Sequence, residues 1–412
     1  MDFNFTEEQD MVRDGLSRLV REQYDWEARR EAIASEAGWR PEIWAQLAEL
    51  GILGMPFSED VGGFGGGAID AMIVMEEFGK GLVVEPFVPT VVCAGGFLAQ
   101  AGTDAQREEH LSAIIDGSRV FAFAYAEPRG RYDYADLETT AKKDGDGYVL
   151  NGHKAVVIGA PWASHLVVTA RTGGERRDRE GVSVFIVDMD TPGIEVRPLK
   201  TMTGHAEFNE VFFTDVRVPM HQIVGQRGQG WFVANATLGH ERGMLGDPDA
   251  LENRLEALIA LMQEERLGQG RAIDNPVLRD RLVALQAEVA AMKYNGMRIL
   301  SNSLRGEPGG MAKLIVKLQS CELAHQISAL AIDAMGELGI LYHHSPRERE
   351  GGAWQWNYMF QLGLIIGGGT AQIQKNIIAE RGLEMPREPK LAKISDAAKA
   401  TADMPRHKQG SA

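Results

Sequence analysis

Tyr148-Val149-Leu150-Asn151-Gly152-His153-Lys154-Ala155-Val156-Val157-Ile158 changes the period of this chain. The apolar runs Tyr148 to Leu150 and Ala155 to Ile158 are too short for helices, and Asn151 and Gly152 supply turn chemistry between them. Similar extended runs surround this stretch at Val120 to Ala126, Ala135 to Lys142, Leu166 to Ala170, Val182 to Val187 and Phe208 to Phe213, with Gly145 and Gly147 as further turn residues. Helix-length crossovers are missing from this region. It therefore predicts an antiparallel barrel or sandwich over residues 119–228, and not a doubly wound α/β sheet.

The flanks read as helices, so the fold class is α+β with three parts. In residues 1–118, Thr6 is a suitable N-cap followed by acidic Glu7, Glu8 and Asp10. Met11, Val12, Leu16, Leu19 and Val20 then recur at helical spacing. Further apolar faces appear at Ile43 to Leu53 and Ile69 to Phe78, before a Pro-containing break at Glu85 to Pro89. Gly62 to Gly67 lacks the strand, fingerprint and helix of a nucleotide loop and is expected to turn between helices. In residues 229–388, amphipathic segments at Ala250 to Arg266, Val277 to Arg305 and Met311 to Met335 are bounded by Pro248, Pro276 and Pro308. The charged tail 389–412 has little apolar periodicity and is expected to be loosely ordered.

A chain of 412 residues is long enough for several domains, and its net charge of -15 argues against a general nucleic-acid binder. The start, MDFNFTEEQD, has neither the basic residues nor the apolar run of a secretory signal, and no apolar stretch is long enough to cross a bilayer. A cytoplasmic location is expected. Cys93 and Cys321 make neither a metal pair nor a disulfide framework. His343-His344 lacks a plausible ligand set and is read as a solvated loop; Trp354 and Trp356 are read as packing at a domain edge.

Two blocks of the central region suit a large planar cofactor: Phe121-Ala122-Phe123-Ala124-Tyr125-Ala126-Glu127-Pro128, and Gly147 through Lys154. They offer aromatic faces and backbone amides, although ordinary sheet packing explains the same composition. With Pro56 through Gly67, Val211-Phe212-Phe213-Thr214-Asp215-Val216-Arg217-Val218-Pro219, Gly230-Trp231, Glu241-Arg242 and Gly369 through Arg381, they form an ordered series over residues 5–388. That series resembles the acyl-CoA dehydrogenase family.

The resemblance implies a helical, β, helical order with FAD across the junction. It implies α,β-dehydrogenation of an acyl-CoA substrate, in which a carboxylate takes the α proton and the β hydride passes to flavin N5. An electron-transfer flavoprotein or related acceptor would take the electrons, and a homotetramer or homodimer, or a heteromer, would be the assembly. By residue matching, Phe123, Tyr125, Ala126, Val156 and Ile158 are expected at the flavin edge of the β region. Gly369, Thr370, Gln372 and Gln374 are expected as a second cofactor group, with Tyr132 and Arg242 on the substrate.

Glu241 is the expected catalytic base. It lies in Gly239-His240-Glu241-Arg242-Gly243, where glycines four apart permit close approach on one helix face. By itself it reads as a surface or ion-paired glutamate. Many family members place the base immediately before the late Gly-Thr pair, where this chain has Gly368; the isovaleryl-CoA-dehydrogenase-like members use the earlier Glu-Arg position. Several family features are altered. Val156 and Ile158 replace the usual Trp and Thr/Ser, Tyr132 replaces a serine, Asp333 replaces a glutamine, and the Arg-x-Gln-Phe-Gly segment after Asp274 is missing. Parts of the amino-terminal and β regions resemble the small component of a pimeloyl-CoA dehydrogenase, and the Gly-Trp to Glu-Arg region its large component. A branched, dicarboxylyl or bulky acyl group is expected. An acyl-CoA oxidase and a structural partner subunit are the alternative readings.

Overall fold

The computed structural model describes residues 5–130, 135–206, 208–231, 248–307, 309–342 and 345–387. The chain opens with helices α1 (Glu7–Gln23), α2 (Trp26–Ala34), α3 (Pro41–Glu49) and α4 (Ala68–Gly81). Thr6 caps α1 through a reciprocal box: its hydroxyl accepts from Gln9 N at 3.2 Å, and Gln9 Oε1 accepts from Thr6 N at 3.1 Å. Leu16, Leu19 and Val20 are buried as their spacing requires, whereas Met11 is 74% exposed. The glycine run turns between Glu59–Val61 and α4, with Gly62 and Gly65 at φ of +87° and +65°. Its role is steric as well as conformational, because a Cβ on Gly63 would meet Phe57 O at 2.2 Å.

The central region forms one sheet from β1 (Phe121–Ala124), β2 (Thr140–Asp144), β3 (Gly147–Ile158), β4 (His165–Arg171), β5 (Val182–Asp188), β6 (Ile194–Leu199), β7 (Phe208–Pro219) and β8 (Ile223–Val224). The order is β6-β7-β3-β2-β4-β5-β8, with β1 also paired to β4. The expected antiparallel barrel or sandwich is thereby corrected: β1 and β2 both run parallel to β4, and the sheet is mixed and does not close. One edge, β6, was missed in the sequence because Glu195, Arg197 and Pro198 interrupt its apolar pattern. Charge and proline are what an unpaired edge tolerates.

Alternation explains why β4 and β5 read as nearly continuous apolar runs. Val167, Val184 and Ile186 pack into the amino-terminal helical core, while Leu166, Val168, Phe185 and Val187 fill the opposite core with Leu150, Val211 and Phe213. Both faces are covered. Each fully buried large side chain contributes about 1.5–3 kcal/mol, so the helical layer and the sheet stabilise each other.

The two runs around Asn151 form one long strand. Its pairing with β7 shifts between Leu150 and Gly152, and again between Lys154 and Val157. Asn151 bridges the first shift: its Nδ2 donates to Asp215 Oδ1 and its Oδ1 accepts from Asp215 N, each at 3.0 Å. The turn chemistry is used inside the strand, as a bulge.

Helices α5 (Pro248–Glu264), α6 (Pro276–Leu304) and α7 (Gly310–Ala334) bury Leu258, Met262, Leu282, Val289, Ile327 and Leu330 together. Helices α8 (Ala353–Ile366) and α9 (Ala371–Ile377) follow. Trp354 is buried in this core, and Trp356 stacks on Phe360 with its edge toward His205 of the β region. Tyr342 adds a second tie by donating to Thr203 O at 2.7 Å. Among the described residues, no helix is long and apolar enough to cross a membrane.

Candidate functional site

The second bulge of β3 builds the wall of a cleft. Val156 takes φ +60° there, a conformation that costs a β-branched residue energy, and the residue is 47% exposed. Across from it, the segment after β1 turns outward through Tyr125, Ala126, Glu127 and Pro128. The cleft between them is about 560 Å³ and is also lined by Ala155, Arg129, Arg176 and Arg177.

Bonds inside the sheet decide which backbone groups face that space. Ala155 N donates to Ala126 O at 2.9 Å, while Lys154 Nζ and Thr169 Oγ1 each lie 3.4 Å from Tyr125 O as donors. The carbonyls are drawn inward. Among the described residues, the N–H groups of Ala126 and Glu127 donate to no protein acceptor. Two successive donors beside an apolar wall fit the polar edge and flat face of a flavin ring.

Beneath this lip lies a buried ion pair. Lys154 Nζ is 2.7 Å from Glu127 Oε1 and 3.2 Å from Thr169 Oγ1, and the Lys154 side chain is fully buried. Glu127 also accepts from Glu138 N at 2.5 Å and Thr139 N at 3.1 Å. Burial tends to raise the Glu127 carboxyl, but the Lys154 charge and these hydrogen bonds outweigh it and hold the group below its ordinary range. Burial pushes the Lys154 ammonium down, opposed by Glu127. Both residues stand in the quoted motifs, yet sequence reasoning assigned them no role. The signal was a lysine set directly before the apolar run Ala155 to Ile158.

The arginines at the mouth are mostly engaged with acids. Asp136, itself buried, accepts from Arg176 and from Arg177 Nε at 3.1 Å, and Arg176 also reaches Glu138 at 2.7 Å. The Arg176 bond leads in holding the Asp136 carboxyl below its ordinary value.

Of the residues expected at the flavin edge, Ala126 and Val156 line the cleft and Tyr125 adjoins it. Phe123 is half-buried between Phe97 and Tyr125, at ring separations of 6.0 and 5.5 Å, and Ile158 ends β3 with half its surface exposed. Neither lines the cleft. The second group forms its own cluster on the carboxy-terminal helices. Gly368 and Gly369 take φ +65° and +104°, and Thr370 caps α9 by accepting from Ile373 N at 3.3 Å. Gln374 is buried and donates to Gly368 O at 2.8 Å, whereas Gln372 is exposed. Lys317 closes the turn from α7 by donating to Gly369 O at 2.6 Å and Ile365 O at 3.0 Å. Asp333, at the altered glutamine position, pairs with Arg281 at 2.7 Å. Glu241, Arg242 and Tyr132 lie outside the described residues, as do His343 and His344.

Three family models match consecutive parts of the chain: the acyl-CoA dehydrogenase N-terminal domain over residues 6–118, the middle domain over 122–216 and the C-terminal domain over 228–383. The chain is 33% identical over 365 residues to the acyl-CoA dehydrogenase IpdE1 of Mycobacterium tuberculosis, covering 87% of this chain and 90% of that protein. The ChsE4-ChsE5 complex from Mycobacterium tuberculosis contains a chain similar to this one, with TM-score 0.83 and 29% identity, covering 94% of this chain and 100% of that one. A chain of the Tcur3481-Tcur3483 steroid ACAD is similar with TM-score 0.83 and 26% identity, over 94% and 100% of the two chains.

Proposed function

The chain belongs to the acyl-CoA dehydrogenase family, and from that premise we propose that it dehydrogenates a bulky or branched acyl-CoA with Glu241 as the base. It is a flavin-dependent oxidoreductase whose cofactor is FAD. The observation that carries the site reading is the cleft lined by Ala126, Glu127 and Val156, where the N–H groups of Ala126 and Glu127 donate to no acceptor among the described residues.

FAD, when bound, supplies the two-electron acceptor for the β hydride. Ala126 and Glu127 would hold it through their backbone N–H groups, and Val156 would supply an apolar wall. Gly369, Thr370 and Gln372 offer a second set of polar contacts, with Gln374 holding their turn in shape. The Glu241 carboxylate takes the α proton as a positioned general base. Gly368 supports this assignment: the late position has no carboxylate and adopts a backbone conformation suited to glycine.

The named similarity to a steroid ACAD favours a bulky acyl group over a short straight one. Assembly with further chains is supported by an exposed apolar seam on α6, where Val283, Ala287, Ala290, Tyr294 and Met297 recur at three- and four-residue spacing. A two-chain complex among the similar structures favours a heteromer as one form of that assembly. An electron-transfer flavoprotein is the proposed electron acceptor.

Anaerobic titration with a panel of acyl-CoAs, read as bleaching of the flavin, tests the activity and its substrate range. Oxygen-dependent peroxide formation would favour an oxidase, and an absence of bleaching by every acyl-CoA would favour a structural subunit. Stoichiometric FAD and activity in the isolated chain would exclude an obligatory mixed oligomer.

A further inference from the structure

We propose that Lys154 and Glu127 are positioning residues for the flavin, a buried ion pair that holds the Tyr125 to Pro128 lip in the orientation that presents its N–H groups to the cleft. The inference rests on the reading that this cleft receives the flavin.

The geometry makes Lys154 the hub of the lip. From one ammonium it reaches the Glu127 carboxylate at 2.7 Å, the Tyr125 carbonyl at 3.4 Å and the Thr169 hydroxyl at 3.2 Å. The residue after it, Ala155, fixes the Ala126 carbonyl. Glu127 carries the constraint onward to the amides of Glu138 and Thr139, just before β2. Four chain segments are thereby fixed to one another directly behind the cleft. With the carbonyls of Tyr125 and Ala126 both turned inward, the amides of Ala126 and Glu127 are left for a ligand.

Stability alone does not account for the pair. An apolar pair of similar size is often as stable as a buried ion pair, or more so, because burying two charges costs solvation that their attraction only partly returns. What an apolar pair cannot do is accept from the Glu138 and Thr139 amides or donate to the Tyr125 carbonyl. Directional hold on the lip is the property that needs charge and hydrogen bonds.

The test compares K154M, the double variant K154M/E127L and T169V with wild type. The readouts are FAD dissociation constant, the visible flavin spectrum and thermal melting of the apoprotein. The double variant removes the unpaired buried charge that K154M leaves, so it keeps the test valid if K154M fails to fold. The expected result is a double variant that folds, with apoprotein melting lowered because the amides of Glu138 and Thr139 are left unpaired and the Tyr125 carbonyl loses one donor. FAD is expected to bind it at least about tenfold more weakly, with a shifted visible band. T169V, which removes one hydroxyl from the Tyr125 carbonyl, is expected to weaken FAD about threefold, corresponding to a fraction of a hydrogen bond. Wild-type FAD affinity and spectrum in the double variant, or in T169V if neither lysine variant folds, would overturn the proposal. V156E separates the underlying reading, because it places a charge in the cleft wall without touching the pair. Unchanged FAD affinity in V156E would mean that the cleft does not receive flavin; loss of affinity in V156E with none in the double variant would reject the positioning role alone.

Discussion

Gln374 donates its side-chain amide to the carbonyl of Gly368 across 2.8 Å, so the first turn of the last described α-helix holds the glycine turn that precedes it. The same turn is gripped on its other side by Lys317. A Cβ on Gly369 would meet Gln374 Nε2 at 2.8 Å, so the close fit depends on glycine there.

Q374A should therefore lower stability by about 1 kcal/mol, because the Gly368 carbonyl loses the hydrogen bond from the Gln374 amide. Thermal melting of apoprotein should show a drop of a few degrees, and FAD should bind more weakly as the Gly369-Thr370 turn loosens. A variant that melts and binds FAD like wild type would remove Gln374 from this account.

At Val156 the expected change has the opposite sign for stability. A β-branched residue at φ +60° is strained, at a cost on the order of 1–3 kcal/mol. Glycine accepts that conformation but loses more entropy on folding, about 1 kcal/mol. V156G should leave stability unchanged or raise it by up to about 1 kcal/mol, while weakening FAD binding through loss of the apolar wall. Urea unfolding and FAD titration read the two effects separately, and a clear loss of stability would show that the strain had been misjudged.

His165 predicts an acid-sensitive junction between the amino-terminal helices and the sheet. Burial lowers its pKa from 6.5 to about 4, reinforced by Arg119 and His110 and opposed by Asp188 and Glu109. The unfolded chain binds the proton more readily than the folded protein. The contribution of neutral His165 is thus fully present above pH 6.5 and is lost as the pH falls toward and through about 4. Melting between those limits should fall more steeply in wild type than in H165Q, by roughly a few degrees. Equal slopes would assign the acid sensitivity to other groups.

Much of this was legible because periodicity reports burial. The α1 cap, the three long carboxy-terminal helices within a residue or two, and the glycine turn before α4 all followed from local chemistry. Asn151-Gly152 was legible as an irregularity but not as its kind: Gly152 sits where a Cβ would meet Thr139 Oγ1 at 2.3 Å, a tertiary approach that no local rule contains. Parallel pairing of β1 and β2 with β4 is likewise set by long-range packing. Ala126 and Val156 were expected from family matching and both line the cleft, whereas the bulge at Val156 and the buried Lys154 behind the lip are tertiary features that the matching did not contain. Gln374 was expected as a cofactor contact, and its amide proved to close the adjacent turn.

The central claim is that Glu241 removes the α proton. The most direct measurement is anaerobic stopped-flow reduction of FAD in E241Q, using an acyl-CoA that bleaches wild type and a protein with matched FAD content and circular dichroism. Loss of the positioned base predicts flavin reduction slowed by about 10²–10⁴-fold with the substrate still bound. Reduction at the wild-type rate would contradict the assignment.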